Sequence, residues 1–414
     1  MARFGYLTEE LIIEIFSWLP ADSLMRFKCL SKSLYSLIEN PQFIVKQLHN
    51  HVHSSSENNL CVLLQRWIGT EIDDEKGENM LSLLIYNDMI QATSEGDGFP
   101  FLLKTTSLPF YKDYPYCEIS SSCDGIIIFH DNYNNGEMVA IANPGLGEFR
   151  ILPKSCISPP PSLPVDFDDP SFHVKAIGLG YDSKANDYKI VRVWSIWNVP
   201  SSPHLRVEVY TLSTDSWKEI NNLDMEVEID NNVMSVDIFR QRYFEKYWNG
   251  AYYWFAFGCN KKSPPKYKKF IALFDMTYED FQCILMPESC QDQDNAFFAY
   301  DASLLEFNGS LALCYFPYEG EEKLFEIWAM DEFGVNGIWT KILCFGPLLG
   351  IVRPLVFVNN SQLLMEGQEG QMVIYNPKTR KVKGLPIYGE GSGFQAIIYW
   401  RSLVSIHGGS KVHN

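Results

Sequence analysis

The chain contains no run of about 18 consecutive apolar residues, the length a bilayer-spanning helix needs. Met1-Ala2-Arg3-Phe4 is not followed by an apolar stretch and small cleavage residues. No membrane partner is expected, and the protein is expected to be cytoplasmic, with the nucleus as a second compartment. The ten cysteines (Cys29, Cys61, Cys117, Cys123, Cys156, Cys259, Cys283, Cys290, Cys314, Cys344) include no C-x-x-C pair. That removes the usual zinc and redox spacings, so the thiols are expected to be reduced and mostly small buried groups. Positive charge is scarce: 34 Lys and Arg stand against 51 Asp and Glu, a net −17. A phosphate backbone would be repelled, which argues against nucleic acid and for a basic partner. No nucleophile with a base, no metal cluster and no phosphate loop occurs at credible spacing, so no catalysis, cofactor or metal is expected. Gly389-Glu390-Gly391-Ser392-Gly393 lacks the strand, helix and Lys of a phosphate loop and reads as a connector. Asp292-Gln293-Asp294 reads as a surface turn. His49, His51 and His53 read as part of a polar linker running through Ser54-Ser55-Ser56.

Residues 7 to 48 are predicted helical, because Leu11, Ile12, Ile15, Phe16 and Leu19 make one apolar stripe. Thr8 is the expected N-cap, with Glu9 and Glu10 where acidic charge suits the helix dipole. Pro20 closes this first helix. A second carries Leu24, Phe27 and Leu30, and Ser31 caps a third with Leu34, Leu37 and Ile38 before Asn40-Pro41 ends it. Three short helices cannot bury much surface against themselves, so a docking element completed by a partner is one reading and a helical cap on the next domain the other.

From about residue 60 the pattern becomes short β-branched and aromatic runs bounded by Gly, Asn, Asp and Pro. A loose unit recurs: an apolar strand, a polar turn, then an aromatic or apolar residue leading a second strand. It occurs at 138–153, 207–220, 271–281, 325–342 and 372–383. One sheet per repeat implies a Kelch-like β-propeller, with a β-sandwich as the alternative. The expected division is a helical module at 1–50, a polar linker at 51–60, the β domain at 61–408 and a tail at 409–414.

Leu7-x-Glu9-x-Leu11-Ile12-x-x-Ile15-Phe16-x-x-Leu19-Pro20-x-x-Ser23-Leu24-x-Arg26-Phe27-Lys28-Cys29-Leu30-Ser31-Lys32-Ser33, with Leu37-Ile38 and Pro41-x-Phe43, resembles the F-box. The resemblance implies docking to the Skp-type linker subunit, and through it to the cullin of an SCF ubiquitin ligase. Leu7, Leu11, Ile15, Leu19, Pro20, Leu24, Leu30 and Lys32 are then the linker-binding set. Two positions depart from the family: Leu7-Thr8 replaces its usual Leu-Pro, and Leu34 replaces its Trp, at a cost of about 1 kcal/mol or somewhat more.

Ser122-Cys123-Asp124-Gly125, Leu179-Gly180-Tyr181-Asp182, Asn186-Asp187-Tyr188-Lys189-Ile190-Val191-Arg192, Trp248-Asn249-Gly250, Phe274-Asp275-Met276 and Asn308-Gly309-Ser310-Leu311 resemble the plant F-box-associated domain. Within that family the S-locus F-box group is the nearest likeness. That group recognises basic S-locus ribonucleases in pollen during self-incompatibility and marks non-self ones for ubiquitination. The resemblance thus implies a non-catalytic adaptor whose substrate is a basic protein, with an unrelated plant protein as the alternative target, or a glycan or metabolite if the head is only a cap. A receptor of net −17 gains association rate with a cationic partner. Candidate contacts lie in the acidic runs and one neighbouring aromatic: Asp73, Asp74, Asp168, Asp169, Glu226, Glu228, Tyr318, Glu321 and Glu322. Solvated loops that merely aid solubility are the other reading of these runs.

Overall fold

The computed structural model describes residues 8–53, 61–70, 73–86, 101–106, 108–131, 138–158, 172–196, 204–220, 225–229, 232–239, 244–260, 266–291, 300–317, 320–330, 339–359 and 362–407. Helix α1 (Glu9–Ser17) starts at Thr8, whose hydroxyl accepts the Leu11 amide at 3.5 Å. Helix α2 (Ala21–Lys28) follows Pro20, and α3 (Lys32–Ile38) starts at Ser31, whose hydroxyl accepts the Leu34 amide at 3.2 Å. The expectation of three helices is corrected by a fourth, α4 (Pro41–His53). Asn40 accepts the Gln42 amide at 2.8 Å, and Pro41 takes the first helical position, where a missing N–H costs nothing. The same two residues that stop α3 therefore start α4, and the three histidines lie on a helix and not in a linker.

The strands, in chain order, are β1 (Cys61–Thr70), β2 (Asp73–Tyr86), β3 (Phe101–Thr106), β4 (Cys117–Cys123), β5 (Ile126–Asp131), β6 (Val139–Asn143), β7 (Glu148–Ile151), β8 (Phe172–Asp182) and β9 (Asp187–Ile196). They continue as β10 (His204–Thr211), β11 (Ser216–Ile220), β12 (Glu226–Ile229), β13 (Asn232–Ile238), β14 (Glu245–Trp248), β15 (Ala251–Asn260), β16 (Tyr267–Asp275) and β17 (Asp280–Leu285). The remainder are β18 (Tyr300–Phe307), β19 (Ser310–Pro317), β20 (Glu322–Met330), β21 (Trp339–Leu349), β22 (Ile351–Asn359), β23 (Gln362–Gly367), β24 (Gln371–Asn376), β25 (Lys381–Tyr388) and β26 (Glu390–Tyr399).

They form six antiparallel sheets, the blades of a β-propeller, and the β-sandwich alternative falls away. Blades two, three, five and six are simple four-strand meanders: β4 to β7, β8 to β11, β18 to β21 and β22 to β25. In blade four, β14 and β13 both pair with β15, opposite Ala251–Trp254 and Ala256–Asn260 respectively, and β12 extends the sheet as a hairpin. Blade one is closed by the two ends of the domain: β26 pairs with β1, Tyr399 opposite Cys61. The stretch read as a glycine connector thus contributes to β26, where Glu390 stands opposite Trp67.

Inner strands such as β5, β6 and β19 bury both faces, and separate apolar clusters fill the gaps between neighbouring blades. Ile126, Leu179 and Trp194 lie between blades two and three; Tyr252, Trp254 and Phe270 join blade four to blade three. Tyr253, Leu313 and Tyr315 join blades four and five. The recurring unit seen in the sequence is the outer strand pair of each blade from the second to the sixth. Its leading aromatic locks blades together. Trp217 Nε1 donates to the Pro153 carbonyl at 2.9 Å, and Trp339 Nε1 to the Leu285 carbonyl at 3.0 Å.

Candidate functional site: an uncovered helical face and an acidic rim

In a four-strand meander the first and third turns fall at one end of the blade, and the second falls at the other. The helices sit at the first end. Leu146, in the turn between β6 and β7, and Leu403, just after β26, pack into the helical core with Phe16, Ala21, Leu24, Ile38 and Phe43. Asp22 on α2 makes an ion pair with Arg401.

One side of the helical head is therefore covered by the β domain, and the other is not. Leu11 and Ile15 are each 49% exposed and Leu30 69%, while Pro20 and Lys32 are also exposed. Exposed apolar side chains on so small a unit mark an unfinished core. Trp18 (52% exposed) and Tyr35 (53%) are further exposed aromatics of the head that escaped the sequence reading. Trp18 follows Leu11 and Ile15 at i+7 and i+3, so the stripe itself carried the signal. Its indole donates to Glu14 at 3.1 Å, and Glu14 pairs with Lys46 of α4 at 2.5 Å, which ties α1 to α4 at the surface. Leu24 of the expected linker-binding set is fully buried, because its helix turns that side toward Leu403. Leu19 is half-buried in the same core, and Leu7 lies outside the described residues.

At the opposite end of the blades lie the second turns and the links between blades. Glu226 and Glu228 are exposed on β12 of blade four, and Glu321 and Glu322 are exposed at the start of β20 in blade five. Asp73 and Asp74 open β2, Thr70 standing opposite Asp73, so their backbone belongs to the same end of blade one. Asp168, Asp169, Tyr318 and Asp292-Gln293-Asp294 lie outside the described residues. The rim is mixed in sign: Lys266 is exposed there too, and Lys268 lies 3.6 Å from Glu288. A groove of about 710 Å³ runs along the outer seam of blades four and five, lined by Val227, Glu228, Pro287, Glu288, Trp328 and Trp339. The axial cavity is about 100 Å³, lined in part by Ser120, Glu245, Tyr252, Ser303 and Gln395. That is well below the ~300 Å³ at which small-molecule pockets begin.

Among the described residues no group of three or more His, Cys, Asp or Glu side chains is arranged to hold a metal ion, and no helix is long and apolar enough to cross a membrane. Burial pushes the Cys123 and Cys314 thiols far up and the Cys283 thiol to about 11, so these sulfurs stay protonated and inert.

Residues 6–46 match the F-box domain, and residues 80–406 match the F-box associated beta propeller domain. The chain belongs to the F-box proteins with an F-box-associated propeller. F-box protein CPR1 of Arabidopsis thaliana is 25% identical over 95% of this chain and 88% of its own length. The F-box/kelch-repeat protein At3g23880 of the same plant is 24% identical over 96% and 94%. The F-box match covers α1 to α3 and the start of α4, which together carry the uncovered apolar face.

Proposed function

We propose that this F-box protein is the substrate-recognition subunit of an SCF-type ubiquitin ligase. Leu11, Ile15, Leu30, Pro20 and Lys32, with Leu7 and Leu19, dock the Skp-type linker and through it the cullin, and Leu24 supports them from inside. The exposed apolar face on an F-box whose other face is already anchored is the observation that carries this reading. The mechanism is non-catalytic: substrate lysines are held at high effective concentration near a ubiquitin-loaded partner. The setting is cytoplasmic or nuclear.

We further propose a basic protein as the substrate, an S-locus ribonuclease being the leading candidate, held at the end of the propeller opposite the helices. The supports are the net charge of −17, the exposed Glu226, Glu228, Glu321 and Glu322, and a tryptophan-lined groove that Glu228 borders. A glycan or metabolite receptor would have to use the outer groove, since the axial cavity is too small for one. Reversing those four glutamates to lysine is expected to slow association with a basic S-locus ribonuclease at low salt by about tenfold or more, with the difference shrinking as salt rises. Stopped-flow fluorescence reads the rate. An unchanged rate would move the binding surface elsewhere and favour an unrelated target.

A further inference from the structure

After β26 the chain does not end at the blade edge; residues 400–407 run between the helical head and blade two, touching both. Arg401 pairs with Asp22 of α2, and Leu403, 2% exposed, completes the core formed by Phe16, Ala21, Leu24, Ile38 and Phe43. Ser402, Val404 and Ile406 face the other way. The Asn143 side chain donates to the Ser402 carbonyl at 3.3 Å and the Val404 carbonyl at 2.8 Å, and the Ser402 hydroxyl donates to the Asp124 carbonyl. Glu148 accepts the Ser405 hydroxyl at 3.0 Å and the Ile406 amide at 2.9 Å, while the Ile406 side chain is fully buried between blades two and three. From Arg401 to Val404 the side chains alternate between the two bodies, as those of an extended segment must, and Ser405 and Ile406 then both hold the blades.

We propose that Arg401–Ile406 is a clasp that fixes the orientation of the F-box on blade two, with Leu403 and Arg401 as its positioning residues. The distance from docked linker to captured substrate is then set by packing and not by the length of chain between α4 and β1. A head held this way presents substrate lysines over a narrow range of positions, whereas a tethered head would spread them over many. This consequence rests on the ligase reading; the clasp itself does not.

The test compares full-length wild type, Leu403→Asp, Asp22→Arg and the Asp22→Arg, Arg401→Asp double variant, with His407→Ala as control, by hydrogen exchange. Leu403→Asp should speed exchange of the α2 and α3 amides by about 30-fold or more, the scale expected for losing one buried leucine, and leave the blade-five strands unchanged. Asp22→Arg should speed it less, and the double variant should restore it. Unchanged exchange in Leu403→Asp, or no rescue by the charge exchange, overturns the proposal. Should Leu403→Asp loosen the blades as well, the charge exchange decides the matter. Linker capture by the wild type is measured alongside. Its absence would sink the ligase reading, while exchange would still judge the clasp. In reconstituted ubiquitination, Asp22→Arg should capture linker as well as wild type does and transfer ubiquitin more slowly.

Discussion

Glu208 and Arg192 stand directly opposite each other on β10 and β9, and both side chains are fully buried. The carboxylate accepts from Arg192 Nε at 2.7 Å, Trp194 Nε1 at 2.8 Å, Ser155 Oγ at 2.8 Å and the Cys156 amide at 3.0 Å. The guanidinium lies 4.3 Å from the centre of the Trp217 ring. Burial alone would raise the Glu208 pKa, but Arg192 and these donors outweigh it and hold the group below the ordinary carboxylate range. A depressed acid contributes stability that is present above its unfolded pKa and lost as pH falls through the folded one. Glu208→Gln leaves Arg192 buried without its countercharge and is expected to cost roughly 3–5 kcal/mol at neutral pH. Denaturant unfolding across pH 3 to 8 should also show a shallower acid loss in the variant. Little of this was legible in the sequence. Val207-Glu208-Val209 alternates like a strand with one wet face, and only the register with β9 reveals that both faces are dry.

At the scale of elements, the polar turns between first and second strands are constrained by what lies beneath them. Gly125 has φ +83°, and an added Cβ would meet the Ser402 hydroxyl and lie 2.6 Å from the Trp400 carbonyl. Gly250 occupies the equivalent turn of blade four at φ +80° with open space around it. Both turns resist a side chain by backbone strain, but only the first also collides with the clasp. Gly125→Ala is expected to cost about 2 kcal/mol or more, and Gly250→Ala about 1. Thermal unfolding of the pair isolates the contact, and equal losses would remove it. The outer strand pairs were readable from the sequence because each carries a polar turn and a leading aromatic. The fourth helix was not, because Asn40-Pro41 signals a stop and a start in the same letters. Strand β26 was hidden for a related reason: its glycines resemble a loop, and its partner β1 lies more than 300 residues earlier in the chain.

For the whole molecule, the ring closes through β26, which covers β1 and supplies Phe394 to the core between blades six and one. Ending the chain at Gly389 is expected to abolish cooperative unfolding, whereas ending it at His407 should leave the calorimetric transition near that of the full chain. The same closure delivers residues 400–407 to the helices, so integrity of the ring and placement of the F-box share one segment. The helices were legible from their leucine and isoleucine spacing and the F-box from the resemblance of the residue order between Leu7 and Phe43, but which leucines face outward was not. That division depends on Leu403, which no helical periodicity could reveal.

The most direct measurement is affinity capture from plant extract followed by mass spectrometry, comparing the intact chain with a Leu11→Asp, Ile15→Asp double variant. Both side chains are about half exposed, so the variant should stay folded, at a cost of about 1 kcal/mol per site. The expected result is loss of the Skp-type linker and cullin from the variant, with the basic substrate still recovered. Equal recovery of linker and cullin on both chains, or their absence from both, would contradict a ligase receptor that docks through this face.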